Sequence, residues 1–174
     1  TGYNIITNAH VIQGQSAGVI ASKIVVILRD GTQYNAECVG FDVEGDIAII
    51  RIVEKEKELS CASFSGDDDL RVGNSVIAIG NPLGELGGTV TNGIVSALAR
   101  EINIDGEKMT LIQTNAAVNP GNSGGGMFNL YGELVGIVNA KSSGSDVEGL
   151  GFAIPIDTAY DIVLQLMDYG YVRG

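Results

Sequence analysis

The stretch Lys23-Ile24-Val25-Val26-Ile27-Leu28-Arg29-Asp30-Gly31-Thr32-Gln33-Tyr34-Asn35-Ala36-Glu37-Cys38-Val39-Gly40-Phe41 reads as two strands joined by a tight turn. Val and Ile dominate Lys23–Leu28, and turn residues separate it from a second strand at Tyr34–Phe41. Asp30-Gly31 suits a hairpin because glycine accepts the positive φ that such turns demand. The same alternation of short apolar runs and turn residues recurs along the chain. It predicts strands at Tyr3–Thr7, Asp46–Val53, Ser75–Ile79, Thr89–Ala99, Met109–Thr114, Glu133–Asn139 and Leu150–Ile154. Asn81-Pro82-Leu83-Gly84, Asp105-Gly106 and Leu130-Tyr131-Gly132 supply further turns. Strands follow strands with no helix between them, which disfavours a parallel α/β sheet and favours a barrel or sandwich. One helix is expected near the C-terminus. Ala159, Ile162, Val163, Leu166 and Met167 recur at helical spacing, with Asp157 as N-cap and Gly170 as stop.

Composition narrows the function classes. The 174 residues carry 21 acidic against 10 basic side chains, a net charge of −11, which repels phosphate backbones and anionic lipid. No nucleic-acid partner is expected. With 45% hydrophobic and 18% charged residues the chain is too apolar for a disordered segment. Its 25 glycines are about twice the usual share, as many tight turns require. No apolar run approaches the roughly 18 residues of a membrane span. Cys38 and Cys61 do not make a disulfide framework, and the reading favoured for both is a buried, hydrophobe-like thiol. One histidine and two distant cysteines supply no zinc spacing, and Asp67-Asp68-Asp69 lacks the pattern of a calcium loop, so no metal is expected. The charged passage Glu54–Asp69 reads as the link between two β subdomains.

Chemistry concentrates in Asn119-Pro120-Gly121-Asn122-Ser123-Gly124-Gly125-Gly126, where five of eight residues are Gly or Pro around a serine. Such glycines let backbone N–H groups crowd toward one point, as an oxyanion hole requires, and leave the hydroxyl uncovered. The bland alternative is a glycine-rich turn whose serine merely bonds backbone. A nucleophilic serine needs a base, and the single histidine, His10, follows the first apolar strand in Thr7-Asn8-Ala9-His10-Val11-Ile12. A histidine base needs a carboxylate to hold its tautomer. Asp46, directly before an apolar strand, is the best candidate; Asp42 and Asp30 are rivals on sequence alone.

Thr7–Ile12, Asp46–Ile50, Val76–Gly84, Thr89–Ala97, Gly121–Gly125 and Phe152–Ile156, in this order, resemble the protease domain of the HtrA/DegP family of serine proteases. The order His…Asp…Ser is also that of chymotrypsin-like enzymes. The resemblance implies an all-β fold of two six-stranded antiparallel barrels, the N-terminal one incomplete, with a C-terminal helix. Residues 1–66 would form the first barrel, and 67–174 the second with the helix. It implies Ser123 as nucleophile, His10 as general base and then acid, and Asp46 as its orienting carboxylate, in a hydrolysis that needs no cofactor. The oxyanion hole would lie at Gly121, Asn122 and Ser123. Ala117, Val118, Val138, Gly151 and Ala153 would wall the specificity pocket. No carboxylate stands among them, which predicts a preference for small or medium aliphatic side chains.

Kinship further implies unfolded or misfolded polypeptide substrates, a homotrimer, a cell-envelope location and a PDZ domain beyond this trimmed segment. A non-catalytic or locked-inactive chaperone module on the same scaffold is the rival reading. Three departures stand out: Gly126 where the family has proline, Asn115 where it has aspartate, and a start at Thr1-Gly2-Tyr3 without the family's additional upstream strand.

Overall fold

The computed structural model describes residues 3–14, 19–54, 58–66, 70–81, 88–104, 106–142 and 150–173. Expectations at Thr1-Gly2, Lys55–Lys57, Asp67–Asp69, Pro82–Gly84 and Asp105 lie outside the described residues. The chain forms two compact units. One comprises Thr1–Cys61 with Tyr160–Gly174, the other Ala62–Ala159.

In the first unit, β1 (Asn4–Thr7), β2 (Ile24–Ile27), β3 (Gln33–Asp42) and β4 (Ile47–Ile52) form an antiparallel sheet in the order β1-β4-β3-β2. The Asp30-Gly31 turn joins β2 to β3: Gly31 has φ 85° and its N–H donates to the Leu28 carbonyl at 2.9 Å. β2 alternates between half-buried and exposed residues. β4 instead buries Ile47, Ala48, Ile49, Ile50 and Ile52, as a central strand covered on both faces does. A single-turn helix, α1 (Ala9–Ile12), follows β1, and its Ala9 and Ile12 share a core with Ala48 and Ile50.

The helix α2 (Ile156–Tyr169) starts one residue before the expected N-cap. Asp157 lies inside its first turn and accepts the Thr158 N–H at 2.6 Å, so it acts as a favourable charge at the dipole's positive end rather than as the cap. Gly170, at φ 78°, closes the helix by donating to the Leu166 carbonyl at 2.9 Å. Although last in the chain, Tyr160–Gly174 groups with the first unit, not with the second as the division at residue 66 has it. Gly40 and Gly45 make room for this: a Cβ on either would strike Gly170 or Ile162.

The second unit contains β5 (Ser63–Phe64), β6 (Ser75–Gly80), β7 (Thr89–Ile104), β8 (Glu107–Thr114), β9 (Gly126–Phe128), β10 (Glu133–Val138) and β11 (Gly151–Pro155). The sheet order is β11-β8-β7-β6-β9-β10-β5, and β11 also pairs with β10. That pairing closes β6 to β11 into a six-stranded antiparallel ring, with β5 added in parallel beside β10. Val76, Ala78, Val95, Ile112, Met127, Val135 and Val138 fill its interior. One four-stranded half-barrel and one closed six-stranded barrel match the trypsin-like double-barrel expectation, including its incomplete N-terminal member. β7 runs past the expected Ala99 to Ile104, because Arg100–Ile104 pair with Glu107–Leu111 around Gly106 at φ 97°.

The cysteines depart from the reading of two buried thiols. Both are free, Cys38 is half-buried on β3, and Cys61 is exposed beyond β4. Burial pushes the Cys38 thiol up, opposed by a backbone hydrogen bond at Gly40. Iodoacetamide in mildly alkaline solution is therefore expected to alkylate Cys61 on the order of ten-fold faster than Cys38, read by peptide mass spectrometry.

Candidate active site

The register of β1 on β4 explains the first half of the site. Thr7 stands opposite Ala48, so carrying the antiparallel ladder two residues further brings Asp46 beside Ala9. Ala9 and Ile12 anchor α1 to the core, which leaves His10 on the partly exposed side. The Asp46 carboxylate meets His10 twice. One oxygen accepts the His10 backbone N–H at 3.0 Å, and the other lies 2.7 Å from Nδ1. An ionised carboxylate only accepts, so this contact suits the tautomer with the proton on Nδ1, the one that leaves the Nε2 lone pair bare.

Asp46 is buried and has φ 51°, a left-handed conformation that costs a non-glycine residue about 1–2 kcal/mol. The buried Asn8 amide donates to its carbonyl at 3.0 Å. The two rival aspartates serve turns instead. Asp42 accepts the Gly45 N–H at 2.7 Å, and Asp30 accepts the Thr32 N–H at 3.0 Å.

In the second unit, two tight turns share Asn122. Asn119-Pro120-Gly121-Asn122 closes with the Asn122 N–H on the Asn119 carbonyl at 3.0 Å, and Gly121 has φ 96°. Proline second and a positive-φ glycine third are the marks of a type II turn. Asn122-Ser123-Gly124-Gly125 repeats the arrangement, with Gly124 at φ 80° and the Gly125 N–H on the Asn122 carbonyl at 3.0 Å. The N–H groups of Gly121 and Ser123 donate to no described residue. Half-buried Ser123 accepts the Ala140 N–H on its Oγ at 3.1 Å.

β10 holds this loop. Gly124 donates to the Val138 carbonyl at 3.0 Å, and Val138 donates to that of Gly125 at 2.8 Å. Gly126, despite the missing proline ring, is laddered to Ile79 on one side and Ile137 on the other. Gly125 has no room for a side chain, since a Cβ would strike the Ile79 carbonyl and come within 2.9 Å of that of Asn122. Gly125→Ala is therefore expected to lower stability by about 1–3 kcal/mol in urea unfolding, because backbone cannot step aside cheaply.

Of the residues expected to wall a pocket, Val118, Val138 and Ala153 belong to the hydrophobic cluster of the second unit. Gly151 packs against Val118, and a Cβ there would lie 2.8 Å from its Cγ2. Ala117 is exposed, and its carbonyl accepts Thr91 Oγ1 at 2.9 Å. Asn115 ties the segment down by accepting the Ile94 N–H at 2.7 Å. The structure thus brings His10 and Asp46 together in one unit, and Gly121, Asn122 and Ser123 together in the other. Sequence reasoning missed the amide contact of Asn8 with Asp46 and the backbone contact of Ala140 with Ser123, long-range bonds that no local pattern announces. No His, Cys, Asp and Glu cluster suited to a metal occurs among the described residues.

The chain is similar to known proteins over most of its length. The family described as "Trypsin-like peptidase domain" matches residues 1–137. A Haemophilus influenzae protein named "Probable periplasmic serine protease do/HhoA-like" is 48% identical over 99% of this chain and 35% of its own length. The Bacillus subtilis "Serine protease Do-like HtrB" is 46% identical over 97% of this chain and 36% of its own. The chain therefore spans about a third of the length of these relatives. Among solved structures, "HtrA-type protease AlgW with tripeptide" is 40% identical, with a TM-score of 0.81 over 97% of this chain and 54% of that one. A serine endoprotease from Yersinia pestis gives 0.82 at 37% identity, over 97% and 55%. The chain belongs to the trypsin-like peptidase domains, and within them to the HtrA family of serine proteases.

Proposed function

We propose that this chain is a serine endopeptidase acting on unfolded or misfolded polypeptide in the cell envelope. The observation that carries the reading is the doubly held His10–Asp46 pair, with Nδ1 2.7 Å from the carboxylate. Ser123 attacks the peptide carbonyl while His10 Nε2 takes its proton, and Asp46 steadies the imidazolium. Charge then develops on the carbonyl oxygen. The N–H groups of Gly121 and Ser123, on either side of Asn122 and donating to no described residue, are suited to receive it. His10 returns the proton to the leaving amine, and water releases the acyl-enzyme.

Val118, Val138, Gly151 and Ala153, all buried in the second unit, would back an apolar specificity pocket, with Ala117 at its exposed edge. This favours small or medium aliphatic side chains before the cleaved bond. One methylene in such a pocket is worth about 1–3 kcal/mol, so selectivity is loose. The envelope location is supported by relatives that are named periplasmic.

A fluorophosphonate probe tests the reading. It is expected to form one adduct, on Ser123, and the protein is expected to cleave unfolded casein after Val or Ala faster than after Lys. A folded protein that refuses the probe and leaves casein intact overturns it.

A further inference from the structure

We infer that Asn8 is a positioning residue: its side-chain amide pins the backbone of Asp46 in the conformation that presents the carboxylate to His10. The inference rests on the proteolytic reading for what the pair does, but not for how the pair is held.

Asn8 sits at the N-cap of α1 with extended backbone angles, φ −78° and ψ 148°. Asparagine there ordinarily turns its oxygen onto the N–H groups of the first helical turn. Here it makes no such bond. Nδ2 instead donates to the Asp46 carbonyl at 3.0 Å, across 38 residues of sequence. This choice orphans Oδ1, which is buried with no partner among the described residues, on a side chain that is itself wholly buried. A residue present only to cap the helix would not leave its acceptor stranded.

The carbonyl it grips belongs to the one described non-glycine residue with positive φ, Asp46 at 51°. In that region the Cα–Cβ direction, and so the aim of the carboxylate, depends on the backbone staying where surrounding contacts force it. Asn8 supplies such a contact. His10, which receives the carboxylate, is two residues along the same stretch, and wholly buried Ala9 roots that stretch in the core between them. Aspartate has the same shape but no donor, and alanine has neither; each should release the Asp46 carbonyl.

The test uses the chain's single histidine, whose imidazole signals need no assignment by elimination. The wild-type protein is expected to show one far-downfield N–H resonance from the proton between His10 and Asp46, and one Asn8 Nδ2 proton protected from solvent exchange. In Asn8→Ala and Asn8→Asp the downfield signal should broaden or vanish. Fluorophosphonate labelling of Ser123 should slow by about 10- to 100-fold, the usual consequence of a misplaced catalytic group. A folded variant that melts lower yet keeps both the resonance and the labelling rate overturns the inference, because it would mark Asn8 as merely structural. Should neither variant fold, fast exchange of both wild-type Nδ2 protons overturns it, and protection of one upholds it. If wild-type protein resists the probe while the resonance still depends on Asn8, the proteolytic reading fails and the positioning role stands.

Discussion

Ser123→Ala is expected to lower kcat for peptide hydrolysis by about 10⁶-fold and to abolish fluorophosphonate labelling, with the circular dichroism spectrum unchanged. The alanine methyl group removes the only atom able to form the acyl bond in the proposed reaction. The folded state loses one contact, the Ala140 N–H on Oγ. His10→Ala should cost about as much, because the hydroxyl is a poor nucleophile without a base and no second imidazole exists to substitute. Nucleophile and base act as a unit, so the double variant should be little slower than either single one. Activity of either single variant within about ten-fold of wild type would remove the residue from the mechanism.

Asp46→Asn should cost about 10⁴-fold in kcat while leaving the fold intact. The carboxylate uses one oxygen on the His10 backbone N–H and the other on Nδ1. An asparagine has a single acceptor, which the backbone N–H can claim. Its NH₂ then faces Nδ1 and stabilises the tautomer with the proton on Nε2, the nitrogen that must be bare to act as base. Asp30→Asn is the matched control. That carboxylate lies on an exposed hairpin and accepts the Thr32 N–H, a role the asparagine oxygen fills equally well. Equal losses from the two substitutions, measured as kcat on one fluorogenic peptide, would deny Asp46 its special place.

Most strands were legible because their signal is local. Apolar runs bounded by Asp30-Gly31 or Leu130-Tyr131-Gly132 appear within a few residues of the observed ends. Ser63–Phe64 and Gly126–Phe128 escaped notice because two or three residues carry no periodicity. The outer arm of β7 escaped for another reason. Arg100, Glu101 and Asn103 are exposed there, and the arm is held by its partner strand rather than by burial of its own side chains. Placement of the final helix was not local either, since it turns on Gly40 and Gly45 being bare enough to receive it.

The sequence by itself determined an all-β chain, the nucleophile loop with its turn-forming glycines, and the lone imidazole. Those features depend on residue type and short-range geometry, which a string of letters contains. Only the tertiary structure supplied the contacts behind the choice of Asp46, already preferred over Asp42 and Asp30, with both carboxylate oxygens on His10 and an asparagine amide on its carbonyl. That choice follows from the register of β1 on β4, where Thr7 faces Ala48. A register is a property of two distant segments hydrogen-bonded together, and neither segment alone encodes it.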